Sequence, residues 1–216
     1  MKRYLPFIIV GFVGLVTVAG GTMLYQAKRP LPLILPSGQI GDAGHMKGPV
    51  DAIVTLEEFG DFECPPCGTL SNPLNELERD FRGKVRLVFH EFPLSIHAHS
   101  TQAALAAEAA ALQGRFWEMH DLLYREQAVW SKAEDAPAVF RAYAGMLGLN
   151  PERFKKDVAD PETLSKINAS QAKGSKLGVV NTPTVFLNGK EVPSAELAPA
   201  ILRETVTAAV RAKPKS

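Results

Sequence analysis

The chain has 216 residues, 46% of them hydrophobic, and 24 Lys and Arg against 23 Asp and Glu give a net charge of +1. That length and composition suit one globular domain with a proper core, and the balanced charge argues against a nucleic-acid partner. With only two cysteines, Cys64 and Cys67, a disulfide framework across the domain is excluded.

Lys2-Arg3 precedes a run from Tyr4 to Tyr25 that carries no charge. Roughly 20 apolar residues cover a bilayer core of about 30 Å, so 1–28 is predicted to be a transmembrane signal anchor. A cleaved signal peptide is the alternative: its apolar region is shorter, about 7–15 residues, and Thr17-Val18-Ala19 is a passable site. A buried core helix fits poorly with a charge-flanked run at the start of the chain. Lys2-Arg3 argues for the N-terminus inside, and Lys28-Arg29 weakens that asymmetry. The expected location is the cytoplasmic membrane, single-pass, with the domain on the extracytoplasmic (periplasmic) side.

Residues 29–49 are rich in Pro and Gly and read as a linker. The folded domain is expected over 50–211, with 212–216 a tail. Ala52 to Phe59 reads as a strand. Cys64-Pro65-Pro66-Cys67 follows at once, then a helix from Leu70 to Phe81 and a strand from Val85 to Phe89. A helical section occupies about 95–178: His97 to Leu112 with Gly114 as its C-cap, Arg115 to Arg125, Ala136 to Leu147, Pro151 to Val158 and Pro161 to Leu177. Thr184 to Leu187 is a strand, Asn188-Gly189 a hairpin turn, Lys190 to Val192 the return strand, and Ser194 caps a last helix to about Val210. This order implies an α/β fold with helices on both faces of a small mixed sheet.

Two cysteines three apart can close a small, reducible disulfide or hold a thiol/thiolate pair. At the start of a helix, the dipole and free amides favour a thiolate on Cys64. The spacing also suits half a zinc site; the other ligands would then come from His45, His90, His97, His99 and His120.

Phe62-x-Cys64-Pro65-Pro66-Cys67 after a strand, with Thr182-Pro183 before a later strand and an Asn-Gly turn, resembles the thioredoxin superfamily. The helical section between the motifs, with Gln113-Gly114-Arg115-Phe116-Trp117-Glu118-Met119-His120-Asp121, resembles the DsbA-like branch. The resemblance covers roughly 50–210. It implies a thioredoxin-like fold with a helical insertion and protein thiol–disulfide oxidoreductase activity. Cys64 would be the exposed nucleophile and Cys67 the buried resolving thiol. Thr182-Pro183 would be cis beside the disulfide, with the Thr182 backbone free to pair with an extended substrate. Pro65, Pro66 and Phe62 complete the expected substrate-contacting set. The Cys64–Cys67 disulfide would be the sole redox group, with no metal or organic cofactor. Exported proteins would be the substrates, and a membrane redox partner would be needed: a DsbB-like or quinone-linked reoxidase, or a membrane electron donor. The chain would act as a monomer.

The resemblance also implies a buried acid six residues before Cys64, which is Glu58. An acid in an apolar strand has a raised pKa, useful for moving the second cysteine's proton. Adjacent Glu57 competes for that role, but strand alternation puts the two on opposite faces. Pro65 and Pro66 both lack an amide hydrogen, and no histidine stands between the cysteines. Both features predict a potential in the middle of the range of about −270 to −120 mV. Disulfide formation is the leading reading, with thiol reduction or isomerisation of exported or cytochrome-maturation clients as runner-up. A rival of another class is a non-catalytic thioredoxin-fold protein that binds a soft metal or a partner. Asp61 and Glu63 read as solvated charge, His97 and His99 as a surface and cap pair, Phe116 and Trp117 as insertion core, and Trp130 as a loop residue.

Overall fold

The computed structural model describes residues 44–212, and the signal-anchor region expected over 1–28 lies outside them. The elements run β1 (His45–Lys47), β2 (Val54–Gly60), α1 (Pro65–Asp80), β3 (Val85–Glu91), α2 (Ser100–Ala111), α3 (Phe116–Arg125), α4 (Gln127–Trp130), α5 (Ala136–Met146), α6 (Pro151–Ala159), α7 (Pro161–Lys176), β4 (Thr184–Leu187), β5 (Lys190–Val192), a 3-10 turn (Ser194–Glu196) and α8 (Pro199–Arg211). No helix among the described residues is long and apolar enough to cross a membrane.

The sheet has the order β1-β3-β2-β4-β5. The β2 and β3 strands are parallel and the other pairs antiparallel. All seven residues of β2 are buried, as a central strand covered on both faces must be. Val54 and Leu56 point to one face, where they pack with Leu70, Leu74 and Leu77 of α1 and Leu202 and Val206 of α8. Phe59 points to the other, against Phe92, Val179 and Phe186. There Gly174 of α7 sits so close that a Cβ would lie 2.8 Å from the rings of Phe59 and Phe92. The insertion packs around the buried alanines of α2 with Phe116, Leu123, Trp130, Phe140 and Phe154, and this cluster runs on into Phe89 of β3, Phe62 and the two cysteines.

Local chemistry sets the boundaries. Asp135, Asn150 and Asp160 each accept a backbone N–H as the N-cap of α5, α6 and α7, with a proline in the first or second helical position. The C-cap of α2 is Leu112 rather than Gly114, and Gly114, two residues on at φ 75°, turns the chain so that the Arg115 N–H reaches the Ala110 carbonyl at 2.9 Å. Asn188 and Gly189 both have positive φ, the form a two-residue hairpin turn needs.

Four other expectations need correction. Residues 45–47, inside the stretch read as linker, form β1, paired antiparallel with Leu87–Phe89 of β3. Three residues carry too short a pattern to read, and tertiary contacts hold them: Trp117 Nε1 donates to the Met46 carbonyl at 3.0 Å, and Lys47 Nζ to Asn75 Oδ1 at 2.7 Å. Helix α1 starts at Pro65 rather than Leu70, because prolines at the first helical positions lose no helical hydrogen bond. Ser194 opens only a 3-10 turn, and α8 starts at Pro199, whose ring keeps Ala198 extended. Trp130 is a fully buried helical residue, not a loop residue, and its indole donates to the Leu123 carbonyl at 2.7 Å.

Candidate functional site: the Cys64–Cys67 centre

The parallel β2–β3 pair ends at Gly60, and the chain turns through Asp61 to Glu63 into α1. Cys64 is the N-cap of α1, with extended backbone, and Pro65 and Pro66 occupy the first positions of the helix. Cys67 lies one turn in and is fully buried. The peptide bond between Thr182 and Pro183, just before β4, is cis. The Thr182 carbonyl faces the motif and accepts from the Cys64 thiol at 3.3 Å.

The two sulfurs are driven apart in proton affinity. Cys64 is held down at about 6. The hydrogen bond from the Cys67 thiol is the largest favourable cause; the Thr182 side chain and the Cys67 backbone N–H add to it. Burial and the Asp61 carboxylate act the other way. Cys67 is pushed far up by burial, by its hydrogen bond to Cys64, and by the charges of Glu58 and Cys64. At neutral pH the pair is therefore one thiolate and one thiol, with the charge on the sulfur nearer the surface.

Glu58 sits on the α1 face of β2, in register with Phe89 on one side and Val185 on the other. It is 4% exposed, and its Oε1 has no hydrogen-bond partner. Burial, with the charge of Cys64, pushes it up to about 8. Glu57 faces the other way and is tied to His90 Nε2 at 2.6 Å and Lys173 Nζ at 2.8 Å. Those partners hold Glu57 below the usual carboxylate range despite its burial. The alternation expected from the sequence thus separates a proton-holding acid under the cysteines from a structural one.

Two expected roles change. Cys64 is only 5% exposed in the dithiol form, so an edge of the sulfur rather than the whole thiol meets solvent. Phe62 is 1% exposed and cannot touch a substrate. It packs beneath the motif, with ring centroids 5.2 Å from Phe89 and 5.0 Å from Tyr124. Pro65 and Pro66 are exposed and, with Thr69, Thr182, Pro183, Leu197 and Pro199, line a groove of about 710 Å³ beside Cys64.

Two supports escaped sequence reading. Asp61 is 1% exposed, not solvated. Its Oδ1 accepts from Ser100 Oγ at 2.6 Å and the Glu63 N–H at 2.8 Å, and its Oδ2 from the Leu94 N–H at 2.8 Å and His97 Nδ1 at 2.7 Å. Glu63 accepts from the His99 N–H at 2.6 Å. His99 is the N-cap residue of α2, as expected, without a side-chain cap bond, while His97 and the His99 backbone N–H tie the motif to the insertion. Gln127, on α4, donates its amide to the carbonyls of Phe62 at 2.6 Å and Cys64 at 2.9 Å. No sequence signal marks a glutamine 63 residues away as a partner of the motif.

The histidines that a zinc half-site would need are engaged elsewhere. His45 meets Glu108, His90 meets Glu57, His97 meets Asp61, His99 meets Gln102 and His120 meets Asp121.

The domain closely resembles known proteins. The oxidised form of BdbD from Bacillus subtilis superposes with a TM-score of 0.71 at 24% identity, over 83% of this chain and 99% of that one. A thioredoxin-like oxidoreductase from Silicibacter pomeroyi gives a TM-score of 0.62 at 28% identity, over 77% of this chain and 94% of that one. A Na(+)/H(+) antiporter from Salinispora arenicola is 43% identical over 151 residues. That match takes in 69% of this chain but only 22% of the antiporter, so the chain spans about a fifth of the relative's length. A family model described as thioredoxin matches residues 42–207. With the helical insertion of the DsbA-like fold between its CxxC and its cis-proline, the chain belongs to the thioredoxin family.

Proposed function

We propose that the chain is an extracytoplasmic protein thiol–disulfide oxidoreductase that forms disulfide bonds in exported proteins through Cys64 and Cys67. The observation that carries this reading is the divided pair. A thiolate held near 6 on an N-capping cysteine stands over a buried thiol, with a buried acid held near 8 on the same face of the sheet.

The chemistry follows from that division. In the oxidised state a substrate thiolate attacks Cys64 Sγ, the Cys64–Cys67 bond breaks, and Cys67 leaves with the electron pair. Cys67 is strongly basic, so it takes a proton at once, and Glu58, protonated below about 8, is the acid on that face to supply it. A second substrate thiolate then attacks the substrate sulfur of the mixed disulfide. Cys64 leaves as a stabilised thiolate, and a thiol of low pKa leaves faster. The substrate loses two electrons and two protons, and the pair becomes the dithiol. The Thr182 carbonyl and the mostly apolar groove offer an extended client a backbone acceptor and a surface with little side-chain demand.

The reading needs a membrane partner to reoxidise the dithiol, because the chain has no further cysteine to pass electrons onward. It also includes the membrane anchor over 1–28, which the uncharged run from Tyr4 to Tyr25 supports. The reaction as proposed uses no metal or organic cofactor. One observation favours a reductive role instead: Pro65 and Pro66 offer no amide hydrogen to the Cys64 thiolate.

The reduction potential decides between them, measured by equilibration with glutathione. A value above about −180 mV supports disulfide formation, and a value near −270 mV reverses the direction to reduction.

A further inference from the structure

We propose that His45, Glu91 and Glu108 form a binding site for a divalent transition ion such as zinc, at the joint between the sheet and the inserted helices. The site is separate from the redox centre and does not depend on its chemistry.

The three residues come from β1, the last position of β3, and α2. One possible ligand atom of each lies within 4.8 Å of the other two. His45 Nε2 is 2.7 Å from Glu108 Oε1 and 3.6 Å from Glu91 Oε1. Glu91 points to a ligand independently of that clustering. It is 1% exposed, no nitrogen or hydroxyl side chain among the described residues donates to its carboxyl oxygens, and the group it faces is the Glu108 carboxyl. A buried carboxyl left so is costly, and a cation satisfies it.

A cation here would be held by two carboxylates and one imidazole, with Glu108 and His45 already in contact at 2.7 Å.

The donor set selects the ion. One imidazole with two carboxylates and a water suits tetrahedral zinc, whereas calcium wants six to eight oxygens. Tetrahedral bonds of about 2.0–2.2 Å need donors about 3.3 Å apart. The present separations of 2.7 and 3.6 Å need only a small outward shift of Glu108 and an inward one of Glu91. The His45 ring stacks on Phe116 at 3.5 Å and 12°, which fixes its plane. At 22% side-chain exposure, His45 leaves a path for the ion from solvent. Lys166, exposed on α7, places a positive charge near both carboxylates and sets a modest electrostatic opposition. An ion here would clamp β1 and α2 to the end of β3.

The test uses the full chain with the Cys64–Cys67 disulfide closed, so that the thiolates cannot take the metal. Zinc is titrated by equilibrium dialysis into wild type, His45→Gln, Glu91→Gln and Glu108→Gln, with melting recorded with and without zinc. The expected result is one zinc per wild-type chain, a zinc-dependent rise in melting temperature, and binding at least about tenfold weaker in each variant. The metal-free melting of Glu91→Gln separates a lost ligand from a lost fold. Should a variant fail to fold, X-ray absorption on zinc-loaded wild type takes its place: a first shell of nitrogen and oxygen including one imidazole supports the site. The proposal is overturned if oxidised wild type takes up no zinc, if folded variants bind it as tightly, if calcium binds in preference, or if the metal shell lacks imidazole.

Discussion

Gln127 donates its side-chain amide to the Cys64 carbonyl at 2.9 Å, and to the Phe62 carbonyl at 2.6 Å. The inserted helices are thereby wired to the backbone that carries the nucleophile. The amide also stands over Gly68, where a Cβ would lie 2.9 Å from Gln127 Oε1. Truncation leaves the buried Phe62 carbonyl without this donor. Gln127→Ala is therefore expected to lower stability by about 1–2 kcal/mol, read from the urea midpoint at unchanged slope. No loss of stability would mean that water replaces the amide without cost.

The thiolate on Cys64 has a pH signature. Alkylation of the reduced chain by iodoacetamide should titrate with a midpoint near 6 and modify Cys64 before Cys67. Asp61 opposes that thiolate with its own charge. Asp61→Asn should move the midpoint lower still, while stability falls by about 2–3 kcal/mol because the bonds to Ser100, His97 and the Leu94 N–H are weakened. A midpoint that moves up would show that Asp61 acts by geometry and not by charge.

Glu58 makes the opposite linkage. Its folded-state pKa, about 8, is raised above that of an unfolded carboxyl, about 4.3. Its stability contribution is then fully present below about pH 4 and is lost as pH rises through 8. Gln holds the neutral shape throughout. Glu58→Gln should therefore be more stable than wild type at pH 8, by up to about 5 kcal/mol, and equal to it near pH 4. The same variant should exchange disulfides more slowly, with a flattened pH profile, since the acid that serves Cys67 is gone. Thermal melts at the two pH values, run beside insulin reduction, check both halves. Equal melting at pH 8 would remove Glu58 as a high-pKa group.

These relationships differ in how far the chain discloses them. The strands, most helices, the Asn188-Gly189 turn and the Glu57/Glu58 division are legible because each rests on local propensity or alternation. The motif and Thr182-Pro183 are legible because both redox residues and the proline form short patterns of rare residue types. Asp61, His97 and Gln127 are not, because all the partners of their side chains but the Glu63 N–H lie 33 to 65 residues away in the chain and only the fold brings them together. A charge at a strand end looks the same in sequence whether solvated or buried with four donors. The same limit hides β1, which owes its place to Trp117, Asn75 and the β3 register.

The groove beside Cys64 gives the last prediction, because its lining is mostly apolar while the reacting sulfur is not. Leu197 lies in its wall with Pro66, Pro183 and Pro199, and it is packed only partly against the core. A charge there would have to be buried under any extended client, and an unpaired buried charge is strongly unfavourable. A small dithiol needs only the edge of Cys64 and makes no use of the wall. Leu197→Glu should then raise KM for an unfolded protein client at least about tenfold, the equivalent of 1.4 kcal/mol. Its exchange with dithiothreitol, and the pH midpoint of Cys64, should stay as in wild type. Steady-state kinetics with the two substrates side by side make the comparison. An equal loss for both would place the damage at the cysteines, and no loss for either would place the client on another face.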